Sequence, residues 1–216
     1  MQLNRLGHAA LLIETPYVRV LCDPGSYSSD WHHLTDLDAV AVTHQHQDHV
    51  DVDGLMALME INPTARLMAE AAVAEMLTQR GLGPEVAMVG ETFQVGPARI
   101  EVHGGTHAVI HPSIRPVGNV GYLFQEGDGA RVFHPGDSYD HVPEQVDLLA
   151  LPITAPWAKM ADTAAFLAAV SPREAIPIHD AILSDAGRAL YKRLVSQVVG
   201  DTIPLHPVAP TDTFSV

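Results

Sequence analysis

The segment Thr43-His44-Gln45-His46-Gln47-Asp48-His49 constrains this chain more than any other, because three imidazoles and a carboxylate fall within six residues. It follows residues 38–43 (Asp-Ala-Val-Ala-Val-Thr), a short apolar run typical of a strand buried on both faces. The chain therefore leaves a sheet and presents candidate ligands at once. In a tight turn His44 and His46 can converge on one cation while Asp48 and His49 turn toward a second. Imidazole nitrogen and carboxylate oxygen suit Zn2+, Mn2+ or Fe, and the single cysteine, Cys22, offers no thiolate cluster for a structural zinc. The alternative is a histidine-rich surface loop. One His-x-His pair arises often by chance, whereas His-x-His-x-Asp-His at a strand end does not.

The surrounding pattern predicts an α/β architecture. Residues 11–13 and 18–21 read as a hairpin around Thr15-Pro16, and Asp23-Pro24-Gly25-Ser26 is a turn. Helices are predicted from about residue 55 to Asn62-Pro63, from Glu70 to Gly81, over 162–170 and over 185–199. Short strands are predicted at 99–103, 120–125, 131–133, 147–151 and 175–178. This β-rich opening followed by alternating β and α fits a layered sandwich better than a parallel doubly wound sheet. With 216 residues and no linker or low-complexity stretch, residues 1–216 are expected to form one domain.

The histidine segment resembles the signature of the metallo-β-lactamase-fold hydrolases, and further motifs stand in the order that family requires. Gly104-Gly105-Thr106-His107, Pro135-Gly136-Asp137-Ser138 and Pro177-Ile178-His179-Asp180 each follow a predicted strand, and Gly7-His8-Ala9-Ala10 with Asp23-Pro24-Gly25 resembles the family's opening. Within the family the chain is similar to the short hydrolases related to L-ascorbate-6-phosphate lactonase. The resemblance implies a four-layer αββα sandwich. It also implies one ion on His44, His46 and His107, a second on Asp48, His49 and His179, and Asp137 bridging. Zn2+ comes first as the ion, with Mn2+ or Fe as alternatives, one or two per chain. Such a site lowers the pKa of a bound water toward neutrality and so serves hydrolysis of an ester, lactone, amide or phosphodiester.

Other residues carry weaker expectations. His103 and His111 flank His107 and could each replace it, though the Gly-Gly turn favours His107. His111 would then lie at the pocket rim. Asp48 doubles as a catalytic candidate, and so does His134, which is either a group orienting a ligand or a satisfied half-buried histidine. Asp23 is placed beneath the 44–49 loop as a supporting carboxylate. Trp157 and Lys159 follow a strand end on the metal side, where they could supply a stacking wall and an anion anchor. His8, His32, His33, His141 and His206 have no spacing argument and are expected at the surface.

Charge narrows the partners. Twelve basic against 26 acidic residues give a net charge of −14, which repels a phosphate backbone, so a small-molecule substrate is expected and nucleic acid is not. No apolar run reaches the ~18 residues of a membrane span, and the N-terminus lacks a secretory pattern. The expected location is the cytoplasm, with a homo-oligomer left open. The competing readings are a mononuclear-iron sulfur dioxygenase and a non-catalytic metal-binding protein.

Overall fold

The computed structural model describes residues 1–28, 30–206 and 213–216. Two mixed sheets stack face to face, and a helical layer covers each outer face. The first sheet contains β1 (Gln2–Arg5), β2 (Leu11–Glu14), β3 (Arg19–Cys22), β4 (Ala39–Val42), β5 (Arg66–Ala69), β6 (Glu85–Val86) and β13 (Thr213–Ser215), in the order β13-β1-β2-β3-β4-β5-β6. The second contains β7 (Thr92–Val95), β8 (Ala98–Gly104), β9 (Val120–Glu126), β10 (Val132–His134), β11 (Leu148–Pro152) and β12 (Glu174–Ile178), in the order β12-β11-β10-β9-β8-β7. Helices α1 (Val52–Ile61) and α2 (Ala71–Gln79) cover the first sheet, and α3 (Met160–Val170) and α4 (Asp185–Val199) cover the second.

Side-chain alternation builds the layers. On β4, Ala39 and Ala41 face the other sheet, while Val40 and Val42 face Leu55, Leu58, Val73 and Leu77 of the helices. On β11, Leu148 and Ala150 point inward, and Leu149 and Leu151 pack under Phe166 and Leu167 of α3. Both faces of these strands are therefore apolar, which explains why they read as continuous hydrophobic runs. The helices start where a side chain can take up free amide groups. Asp51 accepts from Gly54 N–H ahead of α1, and Glu70 accepts from Ala72 and Val73 N–H ahead of α2.

Strand direction decides where the functional loops emerge. β3, β4 and β5 are parallel, as are β10, β11 and β12, and β1 and β8 point the same way as their parallel neighbours. Their C-terminal ends thus open at one end of the sandwich, the side on which ligands gather in α/β sheets. Among the described residues no helix is long and apolar enough to cross a membrane.

Candidate metal centre

The loops after β1, β3, β4, β8, β10, β11 and β12 converge on one buried point. The 44–49 loop is held against the Asp23-Pro24-Gly25 turn: Ser26 N–H donates to Gln47 O at 2.8 Å, and Asp51 N–H donates to Pro24 O at 2.9 Å. Only glycine fits at position 25, because a Cβ there would stand 1.9 Å from Asp48 O. Gly136 has φ 62°, and a Cβ on it would meet Asn119 Oδ1 at 2.3 Å. That tight turn lets Asn119 Oδ1 accept the Asp137 N–H at 2.8 Å and aims Asp137 into the centre.

Two groups of ligand atoms result, each within 4.8 Å of one another: His44, His46, His107 and Asp137, and beside them His8, Asp48, His49 and His179. Asp137 stands between the two. Its Oδ2 lies 3.4 Å from His107 Nε2 and 3.2 Å from His179 Nε2, and its Oδ1 lies 3.1 Å from His49 Nε2. The far nitrogen of each ring is fixed by a backbone or carboxylate acceptor. His107 Nδ1 lies 2.6 Å from Ala108 O, His179 Nδ1 lies 2.6 Å from Thr154 O, and His49 Nδ1 lies 2.6 Å from Asp23 Oδ2. These contacts place the proton on Nδ1 and leave each Nε2 lone pair facing inward. His49 Nε2, His107 Nε2, His179 Nε2 and Asp137 Oδ1 are all buried with no hydrogen-bond partner. Such atoms are costly unless something else satisfies them, and a divalent cation between the two groups does so with donors of the right chemistry.

The electrostatics of the site agree. Burial pushes the His44 and His46 imidazoles down, so both are neutral and able to ligate. Burial also opposes charge on His49 and His179, yet the carboxylates outweigh it. Asp137 and Asp23 raise His49 well above its usual value, and Asp137 and Asp48 hold His179 at about 9. Burial likewise works against ionisation of Asp48 and Asp137, but the surrounding histidines keep both well below the usual carboxylate range.

The structure gathers His44, His46, Asp48, His49, His107, Asp137 and His179 at one point, and it brings Trp157 there as well. The indole Nε1–H donates to Asp137 Oδ2 at 2.9 Å, with the ring 6.1 Å from His107 and 6.5 Å from His179. His103 points elsewhere, to His141 Nε2 at 2.9 Å and Glu101 at 3.4 Å.

The expectations for His134 and His111 need correction. His134 is fully buried, with Nε2 donating to Ala9 O at 2.9 Å and Nδ1 accepting from Gly136 N–H at 3.1 Å, so it cannot reach a substrate and is no catalytic group. It sits 3.7 Å from Asp23, beneath the centre. His111 is exposed and bonds Ser113 Oγ at 2.7 Å instead of facing the cleft. Lys159 is exposed just before α3, two residues after Trp157.

His8 is the residue that spacing missed. It is buried, not at the surface, because the Gly7-His8 turn after β1 folds it inward with φ 34°. Ala181 N–H donates to its Nδ1 at 3.3 Å, so its proton lies on Nε2 and points to Asp48 Oδ2 at 3.1 Å. Its part is to orient Asp48. The signal available in the sequence was its place just past a glycine at a strand end, as His107 lies just past Gly104-Gly105.

A small cleft of about 20 Å3 opens beside His46 and His107, walled by Val109, Ile110, Ile114 and Arg115.

Comparison with known proteins places this geometry in a lineage. The Mycobacterium tuberculosis protein Rv0786c is 38% identical over 99% of this chain and 100% of its own length. A UPF0173 metal-dependent hydrolase of Saccharolobus solfataricus is 29% identical, over 63% of this chain and 61% of its own length. Igni18, a metallo hydrolase from Ignicoccus hospitalis, superposes with a TM-score of 0.74 at 21% identity, covering 100% of this chain and 98% of that one, a likeness of fold. Residues 2–179 match the Beta-lactamase superfamily domain. With the two-sheet sandwich and the order of its motifs, that match makes the chain a member of the β-lactamase superfamily, in its metallo-β-lactamase fold.

Proposed function

We propose that this chain is a metal-dependent hydrolase that opens the ester or lactone bond of a small molecule, with zinc as its ion. The observation that carries the reading is the inward convergence of four buried, unpartnered ligand atoms: His49 Nε2, His107 Nε2, His179 Nε2 and Asp137 Oδ1. His44, His46 and His107 would hold one ion, Asp48, His49 and His179 the other, and Asp137 would join them. Two ions so held would supply an activated water and a counter-charge for the oxyanion of an acyl or phosphoryl transition state. Two adjacent groups sharing Asp137 also favour this reading over a mononuclear iron oxidation.

The protein's own side chains then have definable work. His8 and His179 both meet Asp48 at Oδ2, at 3.1 and 3.4 Å. Asp48 Oδ1 has no protein donor among the described residues and is the oxygen free to take a proton from the attacking water. Trp157 fixes the carboxylate of Asp137 through its indole N–H. The −14 charge supports a small molecule over a polyanion.

The test is reconstitution of the chelator-treated protein with Zn2+ or Mn2+, followed by a screen of carboxylic esters, lactones and phosphodiesters. Two bound ions and ester or lactone cleavage, both lost in His46→Ala, are expected. Two bound ions with no cleavage of any probe, or oxygen uptake by an iron-loaded form, would overturn the reading.

A further inference from the structure

A chain with 26 carboxylates has no shortage of partners for its ten arginines, and eight of them lie within 4.0 Å of an aspartate or glutamate. Among the described residues the exceptions are Arg193, on α4, and Arg115. Arg115 is exposed, and it lines the same cleft as His46 and His107. A guanidinium kept clear of carboxylates on so acidic a surface remains available to an anion from outside, and its planar fork binds a carboxylate or phosphate bidentately.

The other walls of that cleft have the opposite character. Val109 is 66% exposed and Ile114 50% exposed, with Ile110 beside them. Met88 and Val89, exposed by 57% and 54%, continue this apolar rim, since Val89 Cγ2 reaches the Gly105 turn that precedes His107. Aliphatic side chains left in water at the mouth of a cleft gain about 25 cal/mol for each Å2 a ligand covers. The cleft itself is only about 20 Å3, so a ligand would lie largely against these exposed walls.

We infer that the substrate is a compact anion with an apolar body. It is an ester or lactone bearing a carboxylate or phosphate, with the anion on Arg115, the apolar body against Val109 and Ile114, and the scissile bond over His46 and His107. This rests on the hydrolase reading above. It adds Arg115 to Lys159, the anion anchor that the sequence suggested.

The experiment compares an anionic and a neutral ester of nearly equal shape, mono-(4-nitrophenyl) glutarate and 4-nitrophenyl valerate, on the zinc-loaded protein. The ratio of their kcat/KM values should fall roughly 10–100-fold in Arg115→Ala, the range for one charge-assisted contact, and recover in part in Arg115→Lys. Arg193→Ala, remote and equally unpaired, should leave the ratio as it is. An unchanged ratio in Arg115→Ala, or an equal fall in Arg193→Ala, would overturn the assignment. A calorimetric arm with 4-phenylbutyrate and phenyl phosphate needs no turnover, and the tighter of the two tells carboxylate from phosphate. If neither ester is cleaved, the calorimetric arm alone decides the anion site, and the hydrolase reading is judged by the broader probe screen. The anion site then stands if these ligands bind roughly 10–100-fold more weakly to Arg115→Ala, and falls if they bind equally.

Discussion

Replacing Asp23 by Asn tests the support beneath the centre without touching a residue that would hold an ion. The shape is kept, and the left-handed backbone at this position, φ 49°, is one that asparagine tolerates. Asp23 Oδ1 accepts Thr43 N–H at 2.8 Å, while Oδ2 accepts the Thr43 hydroxyl at 2.8 Å and His49 Nδ1–H at 2.6 Å. The asparagine oxygen must stay on the Thr43 amide, so an NH2 group takes the place of Oδ2. Thr43 can rotate its hydroxyl to accept. His49 can only respond by losing the Nδ1 proton, and neutral imidazole then carries its proton on Nε2, the atom facing Asp137. Loss of a carboxylate that orients a ligating histidine costs about 10–100-fold in metal affinity, or roughly 1.4–2.7 kcal/mol. Competition against a chromophoric chelator would measure it, with two ions in the wild type and one weakened in Asp23→Asn. Wild-type affinity for both ions in the variant would refute the claim that Asp23 sets the His49 tautomer.

Asp137→Asn should leave at most one ion bound per chain by elemental analysis, because the carboxylate that stands between the two clusters loses its charge. Trp157→Phe keeps a ring but removes the N–H on Asp137, and should weaken zinc binding by roughly threefold to tenfold. The metal-free protein should lose stability as pH rises from about 6.5 toward 9. His179 is raised to about 9, so its contribution is complete below the unfolded value and disappears as the pH passes through the folded one. Urea unfolding in excess chelator should show that slope and zinc should flatten it, whereas a flat metal-free profile would contradict the ion pairing.

Much of the centre was legible because ligand chemistry is local in this fold. His44, His46, Asp48 and His49 share one loop, and His107, Asp137 and His179 each directly follow a strand with a telling Gly or Pro. Helix α4 was legible at both ends, from Asp185 to Gly200, since an amphipathic stripe and a glycine stop are sequence properties. β1, β5 and β13 were not. Each has three or four residues, and their place comes from pairing with a neighbour, as Arg66–Ala69 pairs with β4, and not from any β-branched run of their own. His134 misled for a related reason. Its position three residues before Asp137 says nothing of the pleat, which turns it under the sheet toward Ala9. Arg115 was silent in the sequence because an arginine stands out only once the partners of all the others are known.

The cluster around Asp48 draws on residues 8 to 179, and its closure is made by the two ends of that span. His179 N–H donates to His8 O at 2.9 Å, and Arg5 and Asp180 form a buried ion pair next to it. Contacts of such sequence separation form late, because chain-closure entropy must be overcome before they stabilise anything. The ions therefore cannot serve as a nucleus for folding. They act on the finished molecule, raising its stability by mass action and slowing its unfolding more than they speed its folding. During synthesis the same arrangement keeps the growing chain from assembling this cluster until the last parallel strand of the second sheet has docked.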